Sequence, residues 1–262
     1  MPAPDPSPRP RSLLPQEHGA WGQLAMPLLS ALLVASVTPA ALLLTGATVL
    51  GFLAHEPALL LIGHRGFRAR DEAGPRARRW LARLLPGAAA CGALGLWLAP
   101  VAARWAMLVP LLLTAAVAGF VLARRERTIP GELTVVTALA SSGFAVALAA
   151  GAPLPVAAAA TATWVLAFAT SVFAVRVVLA RSLSRGTVEL GLRNGLAVLL
   201  IGAGGAAVAW RLGLGSVVGL AVAPTALLSL LVCLLPFSAR QLKTLGWGLV
   251  ASSTATLLLL VV

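Results

Sequence analysis

The chain has 262 residues, 59% of them hydrophobic and only 11% charged, with a mean hydropathy of +0.94 and a formal net charge of +12. That composition leaves no room for a soluble domain of useful size, and its long uncharged runs place the chain among polytopic membrane proteins. The arginines recur at alternate connections between those runs, so the positive charge reads as topology and contact with anionic lipid, not as a nucleic-acid surface.

Residues 1–14 (MPAPDPSPRPRSLL) are proline-rich and read as a disordered cytoplasmic terminus. They lack the basic start, short apolar core and small-residue cleavage site of a signal peptide, so no segment is expected to be removed. Residues 15–262 then form one transmembrane helical domain. Uncharged runs occupy 19–54, 84–103, 105–123, 133–175, 194–210, 212–239 and 244–262. A helix needs about 20 apolar residues to cross about 30 Å of hydrocarbon. The two longest runs must therefore fold back on themselves at Pro39 and at Pro153 and Pro155. The expected fold is all-α: a polytopic integral membrane bundle of about nine transmembrane helices. They fall near 21–37, 40–63, 82–99, 104–123, 133–151, 155–180, 190–210, 213–235 and 243–261.

Charge sets the expected orientation. With the N-terminus inside, the inner segments carry Arg9, Arg11, Arg65, Arg68, Arg70, Arg76, Arg78, Arg79 and Arg83. They also carry Arg124, Arg125, Arg127, Arg181, Arg185, Arg193, Arg240 and Lys243, while the outer turns carry only Arg104 and Arg211. Seventeen against two predicts a cytoplasmic N-terminus and an outer C-terminus in a bacterial inner membrane. Cys91 and Cys233 lie singly in apolar spans and read as small hydrophobes.

Polar groups near membrane depth are costly and point to function. The first cluster is Gln16-Glu17-His18, at the entry to the first span, beside Trp21 at headgroup level. The second is His55-Glu56-Pro57, followed by His64-Arg65 and Arg68. At 100° per residue Glu56 and His64 fall on nearer faces than His55 and His64, so Glu56 and His64 are the expected partners. The bland account pairs Glu56 with a neighbouring arginine. The third cluster is the turn Arg124–Glu132, where Glu132 fits helix-start dipole chemistry and Glu126 a solvated ion pair. The fourth holds Arg176, Arg181, Glu189, Arg193 and Asn194; snorkelling accounts for Arg176 and an i,i+4 pair for Glu189 and Arg193.

The segment Pro15-Gln16-Glu17-His18-Gly19-Ala20-Trp21, the His55-Glu56-Pro57 run, the Gly63-His64-Arg65-Gly66 turn and the late Leu235-Pro236…Arg240…Gly246-Trp247 together resemble the YwiC-like family of bacterial membrane proteins. Nine spans with polar loops after even-numbered helices are also similar to the UbiA prenyltransferase layout. That second resemblance implies acidic motifs holding Mg²⁺ against a prenyl diphosphate. Here His55-Glu56 takes the first places, but Leu59 and Gly63 stand where further aspartates belong, and Arg176 and Ala180 replace the second motif.

The expected function is therefore a lipid-modifying transferase without the Mg²⁺-diphosphate motif, built around a cytoplasm-facing polar cavity. Glu56, His55, His64, Glu17 and His18 are its candidate catalytic residues, with Glu56 as general base. Arg65, Arg68, Arg176, Arg193 and Asn194 are candidate donors to a lipid or phosphate-bearing substrate. The pattern names no cofactor. Three histidines without i,i+4 pairing make no convincing metal site. The alternatives are a proton- or ion-coupled permease, or a metal- or haem-handling protein.

Overall fold

The computed structural model describes residues 12–15, 18–183, 187–237 and 241–261, with the side chains of His18, Leu242 and Lys243 outside that description. Nine helices follow one another among the described residues. They are α1 (His18–Leu33), α2 (Pro39–Leu61), α3 (Phe67–Leu98), α4 (Val101–Leu122), α5 (Ile129–Ala149), α6 (Leu154–Ser182), α7 (Val188–Arg211), α8 (Val217–Leu234) and α9 (Leu242–Val261). Eight are long and apolar enough to cross a membrane, and the described chain is an all-helical bundle.

Two expected boundaries shift. The span expected at 21–37 is a helix of 16 residues, about 24 Å long, because the chain after Leu33 extends to place Thr38 as the N-cap of α2. The span expected at 82–99 starts at Phe67, so the basic segment is helical and not a loop. Its arginines and alanines are good helix formers, and Pro75 falls on an exposed face where solvent can satisfy the carbonyl it frees.

Helices α5 and α6 form the centre: 61% and 56% of their apolar windows are buried, against 6% for α3. Their alanines interlock with α1, and Ser30 joins the two sides, accepting from Trp164 Nε1 at 2.8 Å and donating to Pro27 O at 2.9 Å. Helix α8 packs on α6, α7 and α9, while α3 packs along α2 with no other extensive helix contact. The α2–α3 pair is antiparallel, Gly95 lying against Leu44, Gly87 against Leu50 and Gly74 against Leu61. Near the tip of that hairpin Leu13 closes a small separate core with Leu60, Ala73 and Ala77.

Exposed Trp97, Trp105 and Trp210 collect where α3 and α7 end and α4 begins, and exposed Trp21 and Trp247 lie near the opposite ends of their helices. Aromatic girdles of this kind mark the two interfaces of a bilayer. Thr38 Oγ1 donates to Ala149 O at 2.8 Å, tying α2 to α5 at one end. From that contact, Glu56 and Glu132 are each about 26 Å down their helices at 1.5 Å per residue. Both therefore lie near the second interface, not at mid-membrane.

Candidate functional site

The polar groups at the basic end are positioned by helix caps. Helix α2 ends in a Schellman motif: Gly63 N donates to Leu60 O at 3.1 Å and His64 N to Leu59 O at 3.0 Å, with Gly63 at φ +77°. The cap turns His64 and Arg65 back over the helix they leave. Helix α4 ends the same way, with Arg124 in the left-handed position at φ 54°. Thr128 then caps α5, accepting from Gly131 N at 3.3 Å. A Cβ on Gly131 would lie 2.6 Å from Arg125 O and 2.8 Å from Glu126 O, so only glycine lets the turn fold this close over the start of α5.

These two caps meet. His64 Nε2 lies 2.9 Å from Glu126 Oε1. An ionised carboxylate can only accept, so Nε2 carries the hydrogen and Nδ1 is the basic nitrogen. Arg65 reaches back to Glu56, Nε donating to Oε1 at 2.9 Å and Nη2 to Oε2 at 2.6 Å. The Glu56 side chain is 9% exposed, so the carboxylate end of this forked pair is nearly buried. Arg176 Nη1 donates to Glu132 Oε2 at 2.9 Å and to Arg127 O at 3.1 Å. A polar belt thus runs from α2 through both turns to α5 and α6.

The expected Glu56–His64 pairing is corrected: Glu56 takes Arg65, and His64 takes Glu126. The angular estimate assumed an unbroken helix, whereas Gly63 ends it. Both oxygens of Glu56 are engaged by one guanidinium. His55 is exposed while Glu56 beside it is buried, so the two do not face one cavity. Arg68 is exposed and paired with Glu72 at 3.4 Å, away from the belt. Arg193 is exposed on α7, and buried Asn194 donates to Leu190 O at 2.7 Å within its own helix. Glu17 and the side chain of His18 lie outside the described residues.

Two of the clefts among the described residues, a groove on α3 and a narrow slot between α1, α5 and α6, are not lined by these side chains. Nor do three His, Cys, Asp or Glu side chains converge as metal ligands among the described residues. Sequence reasoning undervalued Glu126 and Glu132. Their partners lie 62 and 44 residues away, a relation no local pattern carries.

Burial works to raise the Glu126 carboxyl, but its own backbone amide and His64 outweigh it and hold the group below its usual 4.5. The folded protein therefore binds that proton less tightly than the unfolded chain. The contribution is fully present above pH 4.5 and disappears as pH falls through the lower folded value. Melting temperatures of wild type and Glu126→Gln should accordingly differ at neutral pH and converge as the pH falls well below the ordinary carboxylate value of 4.5. A gap that persists there would show that the carboxylate's charge is not what holds the turn.

The family described as YwiC-like protein matches residues 14–147, just over half of the chain, a stretch that includes Glu56, His64, Arg65, Glu126 and Glu132. No curated protein and no solved structure matches the chain.

Proposed function

Because the chain belongs to the YwiC-like protein family and is a multi-pass helical membrane protein, we propose that it is a lipid-modifying transferase of the bacterial inner membrane, with its basic end in the cytoplasm and His64 as general base. The single observation that carries this reading is the His64–Glu126 contact of 2.9 Å. A carboxylate on one imidazole nitrogen fixes the tautomer and stabilises the imidazolium formed when the other nitrogen takes a proton. His64 replaces Glu56 in that role, since Glu56 is held by Arg65. Glu126 Oε2 is buried and without a hydrogen-bond partner among the described residues, so His64 is the side chain on which that carboxylate acts.

In the proposed step an acceptor hydroxyl gives its proton to His64 Nδ1 as its oxygen bonds to the transferred group. The phosphate-bearing leaving group departs with the electrons of the broken bond, and Arg65 or Arg176 meets its charge. A lipid can approach such a belt sideways from the bilayer, so an enclosed cavity is not required. The filled α5–α6 centre lends no support to a permeation path through the bundle.

The test compares membrane lipids, by mass spectrometry, from a deletion strain carrying wild type, His64→Gln or Glu126→Gln, with a reporter at Gly74 checking that the basic end is cytoplasmic. Loss of the base should cut the product lipid by about 10² or more, and Glu126→Gln should cut it less. A wild-type lipid profile with His64→Gln, or no lipid change on deletion, would sink the reading.

A further inference from the structure

Helix α3 carries six arginines within Phe67–Arg83 against Asp71 and Glu72, and its first turns run past the end of α2. Arg68 is occupied by Glu72. The positions 67, 70, 71, 74, 75 and 78 form a different stripe, spaced three and four apart along one face of the helix. Gly74 and Pro75 make its floor, and Phe67, Arg70, Asp71 and Arg78 its walls, around a groove of about 310 Å³. Arg70, Asp71 and Arg78 are exposed, and among the described residues they make no ion pair or side-chain hydrogen bond.

The register of the hairpin fixes where this groove sits. Gly87 lies against Leu50 and Gly74 against Leu61, so Arg78 and Arg79 fall level with the end of α2 near Pro57. That is the level of Glu56, about 26 Å from the Thr38 contact and thus at the edge of the hydrocarbon. From there the groove runs outward through the headgroup layer. Its two arginines are eight residues apart, about 12 Å along the axis, and close on the groove from opposite ends.

We propose that this stripe is a docking site for the phosphate headgroup of an anionic phospholipid of the same leaflet. Two cations against one carboxylate leave the groove net positive, complementary to a phosphodiester. Arginine's planar fork suits phosphate oxygens, and the floor of small residues lets the headgroup come close to the helix. The groove is walled by a single helix, too shallow to hold a soluble phosphate from dilute solution. A lipid already concentrated and oriented in the plane needs no more than this. The site is separate from the His64 belt, and its failure would leave that reading untouched.

The test is native mass spectrometry of the purified full-length protein after reconstitution in phosphatidylcholine vesicles with or without phosphatidylglycerol. Wild type should retain phosphatidylglycerol preferentially. Arg70→Gln with Arg78→Gln should lower retention about ten-fold, and Arg68→Gln should leave it nearly unchanged. Asp71→Asn, which removes the one negative wall, should raise it, and supplies the answer if the double variant folds poorly. Equal retention by the double variant, an equal loss with Arg68→Gln, no gain with Asp71→Asn, or binding of inorganic phosphate as strong as that of the lipid would each overturn the proposal.

Discussion

Glu56→Gln should lower the folded yield and melting temperature of the solubilised protein far more than Glu126→Gln does. Both substitutions keep the shape of the side chain and remove one charge, so the difference between them reports environment. Glu56 is the nearly buried end of a fork with Arg65, whose side chain is 28% exposed. Neutralising the carboxylate leaves that guanidinium partly desolvated and uncompensated. Breaking a fully buried pair costs about 3–5 kcal/mol, and the partial exposure of Arg65 brings the expectation down to about 2–3 kcal/mol. The Glu126 carboxylate, at 26%, is more open than that of Glu56 at 9%, and its contact with His64 should be worth at most about 1 kcal/mol. Replacing both partners, with Glu56→Leu and Arg65→Met together, should be close to neutral, because no orphan charge remains. Equal melting temperatures for wild type and Glu56→Gln would show that the fork adds nothing to the fold.

Arg181→Ala should be comparably damaging, for a different reason. At the end of α6, Arg181 Nη1 donates to Val232 O at 3.0 Å and Leu235 O at 2.5 Å, while Nη2 donates to Cys233 O at 2.7 Å. These carbonyls close α8, where no further turn of helix can take them up. One guanidinium serves as a cap for another helix and places positive charge at its negative pole. Gly191 leaves room for this: a Cβ there would lie 2.6 Å from Cys233 O and 3.1 Å from Arg181 Nη2. Losing the cap should cost about 2–3 kcal/mol, or about 5–10 °C in melting temperature for a chain of this length. Arg181→Lys keeps the charge but not the fork and should fall between the two. If the alanine variant melts like wild type, water or the neighbouring chain already satisfies those carbonyls.

The spans were legible because a bilayer demands long apolar stretches, and the prolines at 39, 153 and 155 did mark where the longest runs fold back, at the starts of α2 and α6. The extension of α3 was not legible from hydropathy, which registers charge as the end of a span although arginine continues a helix readily. The candidate site was legible by position but not by pairing. His55, Glu56, His64 and Arg65 stand out as polar residues at the edge of an apolar run. Whether Glu56 meets His64 or Arg65 depends on the single residue Gly63, whose left-handed conformation reverses the chain. Arg176 could be read as a surface-seeking side chain until Glu132, on a helix 44 residues earlier, was found to receive it.

The nearly exclusive packing of α3 on α2 bears on how the chain enters the membrane. A span that owes its contacts to the preceding helix can complete its packing once both have left the ribosome, before any later helix exists. The α2–α3 hairpin, closed near its tip by Leu13, therefore has the makings of an early insertion unit. The central α6 must wait for α8 to cover it, and the short α1 gains the packing of α9 only when that later helix arrives beside it.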